Sequence, residues 1–239
     1  SQTSIIYDAN GEVISYIKGE KEADYVVYED IPADFVTAMV SIEDKRFYKH
    51  DGIDYVALIR SAKAIMETKS LSQGGSTITM QLARNIYLST EKTWERKIKE
   101  MFIAAELEKL YSKNKIMEYY LNNIYFSNGY YGIQAACNGY FSCDLNDLSL
   151  SQIAFLCAIP NSPSYYDPIV HFDNTIERRN RILTNMYQDE KISETVYIAA
   201  LNEEIKLELS ANTDVSQRNN YVDTYVYYCA TRALMEMEG

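Results

Sequence analysis

Glu43 and Asp44 open the run Glu-Asp-Lys-Arg-Phe47-Tyr-Lys-His50-Asp-Gly52, two adjacent carboxylates followed by an aromatic ring and a histidine. Adjacent acids disfavour each other's ionisation, which suits a general base working near neutral pH. The local alternative is a charged, solvated helix end with His50 as its cap. A second run, Gly74-Gly-Ser76-Thr77-Ile-Thr-Met-Gln81-Leu-Ala-Arg84-Asn85, leads glycines into hydroxyl residues and a helical pattern. Such a start can aim backbone N–H groups and the positive helix end at an anion. It has neither the GxxxxGK[ST] of a P-loop nor the GxGxxG of a dinucleotide fold, which argues against a nucleotide. Its local alternative is an ordinary helix cap with an amphipathic continuation.

The third run is Thr93-Trp-Glu-Arg96-Lys97-Ile-Lys-Glu100-Met-Phe-Ile. At helical spacing Trp94, Ile98, Met101 and Ala105 form one apolar stripe, while Arg96, Glu100, Ile103 and Leu107 share a mixed face. That face lodges Glu100 between helices beside Arg96, or else holds a surface ion pair worth a few tenths of a kcal/mol. From Gly74 to Glu100 five basic residues meet three acidic ones, a local charge of +2 in a chain of net charge -11. The overall excess of 34 acids over 23 bases argues against nucleic acid as a partner. An anionic substrate must be met by this local patch.

These runs must be positioned by a chain of 239 residues, 47% hydrophobic and 24% charged, enough for a sizeable core. Its two histidines, His50 and His171, are too far apart for a His-rich zinc site. The four cysteines form no CxxC pair. Cys157 lies in an apolar run and reads as a small buried side chain, as do the others, with a Cys137–Cys143 disulfide left open. No apolar run approaches the roughly 20 residues that span a bilayer, and no signal peptide opens the chain. It begins within a strand pattern, ends in Met-Glu-Met-Glu-Gly, and reads as a piece of something longer.

Thr3–Tyr7 and Val13–Ile17 flank Asn10-Gly11, the signature of a β-hairpin. Seven acids and two lysines in the first thirty residues give a net of -5, a solvated lead-in. From Pro32 the period becomes helical, predicting helices near 33–46, 53–67, 77–88, 92–111, 113–123, 130–141, 149–159, 173–188, 193–204 and 218–237. Ser149-Leu-Ser-Gln152 is a capping box. The run from Asn161 to Pro168, with two prolines, is a loop, and Ser70–Gly75 is a flexible connection. The expected division is a lead-in over 1–30, a functional domain over 31–205 and a helical linker over 206–239.

In order and spacing the three runs resemble the peptidoglycan glycosyltransferases, glycosyltransferase family 51, as found in class A penicillin-binding proteins. The family's first motif, Glu-Asp-x-x-Phe-x-x-His-x-Gly, is met from Glu43 to Gly52. The second, Gly-x-Ser-Thr-x-Thr-x-Gln-x-x-Lys-Asn, is met from Gly74 to Asn85, with Arg84 where lysine is usual. The third, Arg-Lys-x-x-Glu, is Arg96, Lys97 and Glu100. A fourth falls on Ile116, Glu118, Tyr120, Leu121 and Asn122, and a fifth on Arg178, Arg179, Ile182, Leu183 and Met186. Arg84 keeps its charge, though its planar fork changes how phosphate is held. Gln152 stands where glutamate is usual and still completes the capping box. Ser112-x-x-Lys115 is similar to a penicillin-reactive Ser-x-x-Lys, but no Lys-Thr-Gly accompanies it, so it reads as a helix start. The transpeptidase half of such an enzyme is absent from this chain.

The resemblance implies a mainly α, lysozyme-like domain with a short N-terminal β-hairpin and a smaller membrane-facing jaw. In that jaw Leu58, Ile59, Ala62, Ile65 and Met66 either face lipid or fill the core. It implies polymerisation of lipid II, a disaccharide-pentapeptide carried on undecaprenyl diphosphate. The acceptor's sugar 4-hydroxyl attacks the anomeric carbon of the growing glycan strand, inverts it and expels the lipid diphosphate. A base that takes the hydroxyl proton contributes about 10²–10⁴ in rate, and Glu43 matches it. Arg84, Arg96, Lys97, Ser76 and Thr77 fit the task of meeting charge on the departing diphosphate. A divalent cation, Mg or Mn, is expected to share that task, with ligands unknown. Glu100 matches the family's second glutamate, orienting the donor, contacting the cation or holding Arg96 and Lys97. Asp44, Phe47, His50, Gly52, Gly74, Gln81 and Asn85 are expected to position substrate or one another. The implied partners are lipid II, the growing strand, membrane lipid and a transpeptidase domain in a longer chain, at the extracytoplasmic face of the cell membrane. Two readings from other classes stay open: a lysozyme-like glycan-cleaving enzyme, which also needs paired carboxylates, and a catalytically silent scaffold that binds lipid II.

Overall fold

The computed structural model describes residues 4–7, 13–17, 25–68, 75–87 and 94–209. The turn expected at Asn10-Gly11, the connection that holds Gly74 and the helix expected over 218–237 lie outside the described residues. Strands β1 (Ser4–Tyr7) and β2 (Val13–Ile17) pair antiparallel, with Ile5 opposite Tyr16. They belong to a unit separate from Val26–Ser210.

Val26–Ser210 is mainly helical, as expected. Its described residues form α1 (Ala33–Glu43), α2 (Tyr55–Thr68), α3 (Ile78–Tyr87), α4 (Trp94–Leu110), α5 (Lys113–Asn123), α6 (Ile133–Phe141), α7 (Leu150–Ala158), α8 (Phe172–Gln188) and α9 (Glu194–Asn202). At the centre is α7, with every residue from Ile153 to Ala158 buried. A helix apolar all round can only be a core helix. It starts at the predicted capping box, where Ser149 and Gln152 exchange hydrogen bonds. Its partners are α1, which supplies Phe35, Ala38 and Met39, and α8, which supplies Ile182, Leu183 and Met186. Arg179 ties three helices together, because its Nη1 donates to Ser151 Oγ at 2.6 Å and to the carbonyls of Ala200 and Glu203 at 3.2 and 3.1 Å.

A second group packs α3 against α4 and α5. Ser112 caps α5 by accepting the Lys115 N–H, the helix start read from the sequence. Asn122 of α5 clasps the entering chain, accepting the Val26 N–H at 2.9 Å and donating to the Val26 carbonyl at 2.8 Å. Glu118 adds a bond from the Tyr28 N–H. Two of the fourth motif's residues therefore hold the chain's path.

The first helix stops at Glu43, short of the expected 46, because Asp44 leaves helical geometry at φ -155°. Cys157 is buried as expected; Cys137 is buried and Cys143 half-buried, both as free thiols with sulfurs 3.6 Å apart.

Candidate functional site

The last residue of α1 is Glu43, and its side chain is 6% exposed. Arg178 of α8 donates from Nη2 to Glu43 Oε1 at 2.7 Å, and Gln81 of α3 donates from Nε2 to Oε2 at 2.9 Å. Behind Gln81, the Tyr120 hydroxyl of α5 donates to Oε1 of the amide at 3.0 Å. Asp44 serves different partners. Both its oxygens lie 2.9–3.0 Å from His50 Nε2, and Oδ2 accepts the Ile78 N–H at 3.0 Å, capping α3 from another segment. The solvated helix end does not form, since Asp44 and His50 are both buried. Nor do the adjacent acids share a site, because leaving the helix at Asp44 sends the two carboxylates to separate partners.

The start of α3 joins the three runs. Thr77 Oγ1 donates to the Gly52 carbonyl at 2.6 Å and accepts the Met80 N–H at 3.1 Å. Ser76 Oγ accepts Lys97 Nζ at 2.6 Å. Lys97 Nζ also reaches Glu100 Oε2 at 2.9 Å, and Arg96 Nε stands 3.2 Å from Oε1. Glu100 is 1% exposed, so α4 does turn its mixed face inward, carrying Ala104 and Leu107 with it. Of its apolar stripe, Trp94 is 86% exposed and Ile98 is exposed, while Met101 and Ala105 are half-buried; Phe102 beside them is exposed. Two cations accompany the buried carboxylate and make this orientation tolerable.

Gly52 sits at φ +87°, and a Cβ there would lie 2.8 Å from the backbone C and O of Ala104. Only glycine lets the first run approach α4 so closely. Phe47 is fully buried beneath the Lys113 ammonium, 4.5 Å from its ring centroid. Lys113 also donates to the His50 carbonyl at 2.6 Å and to Glu108 at 2.7 Å, pinning the turn between Phe47 and His50. Arg84 and Asn85 lie half-buried in the second half of α3, and Gly74 lies outside the described residues.

Burial first, and the charge of Glu43 second, push the ionisation of both Tyr120 and Cys157 well up. Among the described residues no three His, Cys, Asp or Glu side chains converge to hold a metal ion. The oxygens of Glu100 face Arg96 and Lys97 instead. Among the described residues the Glu100 carboxylate is thus occupied by two cations of the chain's own.

Arg178 and Tyr120 belong to the fifth and fourth motifs but were not among the candidate site residues. For Arg178 the available signal was helical spacing, since Arg178 and Arg179 precede Ile182, Leu183 and Met186 on one inward face. Of the apolar positions on α2, Ile59 is 71% exposed and Leu58 half-buried, while the side chains of Ala62, Ile65 and Met66 lie outside the described ones.

Comparison with known proteins follows the same residues. The family described as Transglycosylase matches residues 10–187. Penicillin-binding protein 4 of Bacillus subtilis is 39% identical over 242 residues, covering 100% of this chain and 38% of that protein. Penicillin-binding protein 1A of Aquifex aeolicus is 42% identical over 201 residues, covering 84% of this chain and 28% of that one. A crystal structure of penicillin-binding protein 1A from Haemophilus influenzae aligns with a TM-score of 0.46 at 22% identity, over 88% of this chain and 22% of that chain. This chain therefore spans well under half the length of these relatives. It belongs to the transglycosylase family.

Proposed function

We propose that this chain is a peptidoglycan glycosyltransferase domain that extends glycan strands from lipid II. The observation that carries the reading is the buried Glu43 carboxylate, gripped on one oxygen by Arg178 and on the other by Gln81. It is bonded to Gln81 of α3, and the Arg96–Lys97–Glu100 group is bonded to Ser76 just before that helix. A carboxylate has about four lone-pair sites, so the two bonds leave room for an acceptor hydroxyl. Glu43 takes the proton of the acceptor's 4-hydroxyl as that oxygen bonds to the anomeric carbon. The bond from that carbon to the phosphate oxygen breaks on the opposite face, and its electron pair leaves on the lipid diphosphate.

Charge on the leaving group is met by Arg84, Arg96 and Lys97. Two of the three ammonium protons of Lys97 go to Ser76 and Glu100, and the third remains for an anion. Glu100 holds this pair of cations in place. A divalent cation is proposed to share the task of meeting that charge.

The outward stripes of α2 (Tyr55, Val56, Ile59) and α4 (Trp94, Ile98, Phe102) are proposed to meet membrane lipid. No helix among the described residues is long and apolar enough to cross a membrane. The longer relatives support a setting beside a transpeptidase domain, at the outer face of the cell membrane. The lysozyme-like reading requires a carboxyl group that arrives protonated as general acid. Both candidate carboxylates instead face cations, an arrangement for handling charge.

Polymerisation of labelled lipid II in detergent, with Mg²⁺ and with chelator, tests the proposal beside Glu43→Gln. Long strands from the parent and none from the variant are expected. Binding of lipid II by both proteins with strands from neither would favour the silent scaffold. Shortening of preformed glycan by the parent would favour the cleaving enzyme.

A further inference from the structure

The geometry points to Tyr120 as a positioning residue whose hydroxyl holds the Gln81 amide by its oxygen so that the NH₂ end stays firmly on the Glu43 carboxylate. The inference rests on the proposed role of Glu43 as base.

A glutamine amide has an accepting end and a donating end of nearly the same shape, so its neighbours decide its orientation. Gln81 has one such neighbour at each end. Tyr120 is fully buried, and its burial together with the charge of Glu43 keeps the hydroxyl protonated. It therefore keeps its proton to donate, and at 3.0 Å it donates to the amide oxygen. Its other acceptor within reach is Met39 Sδ at 3.9 Å, a weak one. The opposite end agrees, because Glu43 Oε2 at 2.9 Å demands the NH₂ group. With the amide turned over, two acceptors would stand against each other at that distance. Tyr120 thus acts on Glu43 through Gln81.

Removing the hydroxyl loosens the hold on the amide and leaves the charges around Glu43 in place. Those charges are Arg178 from α8, Asp44 next in the chain and Arg84, whose field reaches Tyr120 from α3. The thiol of Cys157, on α7, is the remaining titratable neighbour that feels Glu43.

Tyr120→Phe is expected to lower kcat about tenfold while the KM for lipid II stays within about twofold. The acid limb of its kcat–pH profile should move to higher pH, because an NH₂ group held less firmly stabilises the carboxylate less. The double variant Tyr120→Phe/Gln81→Met should be no slower than Gln81→Met alone. An unmoved acid limb, or losses that multiply in the double variant, would overturn the inference. The side-chain amide NMR signal of Gln81 reads orientation without turnover. An unchanged signal in Tyr120→Phe overturns the positioning role. A displaced signal with parental kcat instead overturns Glu43 as the base.

Discussion

Arg178 Nη2 lies 2.7 Å from Glu43 Oε1 although 135 positions separate the two residues, and their side chains are 8% and 6% exposed. Taking away one member of a buried ion pair strands the other, which costs about 3–5 kcal/mol. Arg178→Met should therefore lose stability on that scale in denaturant unfolding. Glu43→Gln keeps an acceptor for Arg178 but leaves its buried cation uncompensated, so it should also lose stability while abolishing strand formation. In the Arg178→Met background, adding Glu43→Gln should restore part of the stability. Equal stabilities for the parent and Arg178→Met would contradict this account.

Gly52→Ala should be disproportionately damaging for the addition of one methyl group. The left-handed backbone alone costs a non-glycine residue about 1–3 kcal/mol. The obstacle to the new Cβ is the backbone of α4, which cannot rotate aside as a side chain does. Thermal unfolding should show a drop of several degrees, larger than that of Gly129→Ala, which carries the backbone strain of its own positive φ of 85° but has open space around it. Similar drops for the two would assign the whole cost to backbone strain.

Trp94 is the one tryptophan in the chain and is 86% exposed. Its emission should be that of a water-exposed indole in buffer. Adding phospholipid vesicles should shift it to the blue if the outward stripe of α4 enters lipid, and Ile98→Glu with Phe102→Glu should suppress the shift. Emission indifferent to vesicles would remove α4 from the proposed membrane surface.

Asp167 ties down the loop before α8. Burial pushes its carboxyl up, but bonds from the Ser127 hydroxyl, the Val170 and Ile169 amides and the Asn128 side chain outweigh it and hold the group below the usual carboxylate range. A carboxyl depressed in the folded state stabilises the fold above its unfolded pKa of about 3.9. That contribution fades as pH falls through the lower folded value. Melting temperatures measured from pH 6 downward should fall more steeply below about pH 4 in the parent than in Asp167→Asn. Parallel curves would show that the loop bonds contribute nothing through ionisation.

Much of the helical scaffold was legible because it is encoded locally. Ser112, Ser149 and Gln152 mark helix starts through bonds to residues three positions away. The apolar run from Ile153 to Ala158 was legible as a buried helix because the capping box at Ser149 and Gln152 precedes it. The inward placement of Glu100 was one of two readings, since the face that carries Arg96 and Leu107 also fits a surface ion pair. Less legible was the fate of the outward stripe, because a helix with two partly apolar faces does not declare which one meets the core. On α4 the outcome rested on Lys97 reaching Ser76, a contact across 21 positions.

By itself the sequence determined the helices, their caps and the ordered runs that place the chain in its family, since these depend on residues a few positions apart. Tertiary structure alone decided how the charged groups pair. Glu43 and Asp44 are neighbours in the chain, yet one carboxylate meets Arg178 and Gln81 while the other meets His50 and the start of α3. The physical reason is that a buried carboxylate must find donors wherever packing supplies them. Which donors lie within 3 Å depends on how α1, α3 and α8 cross.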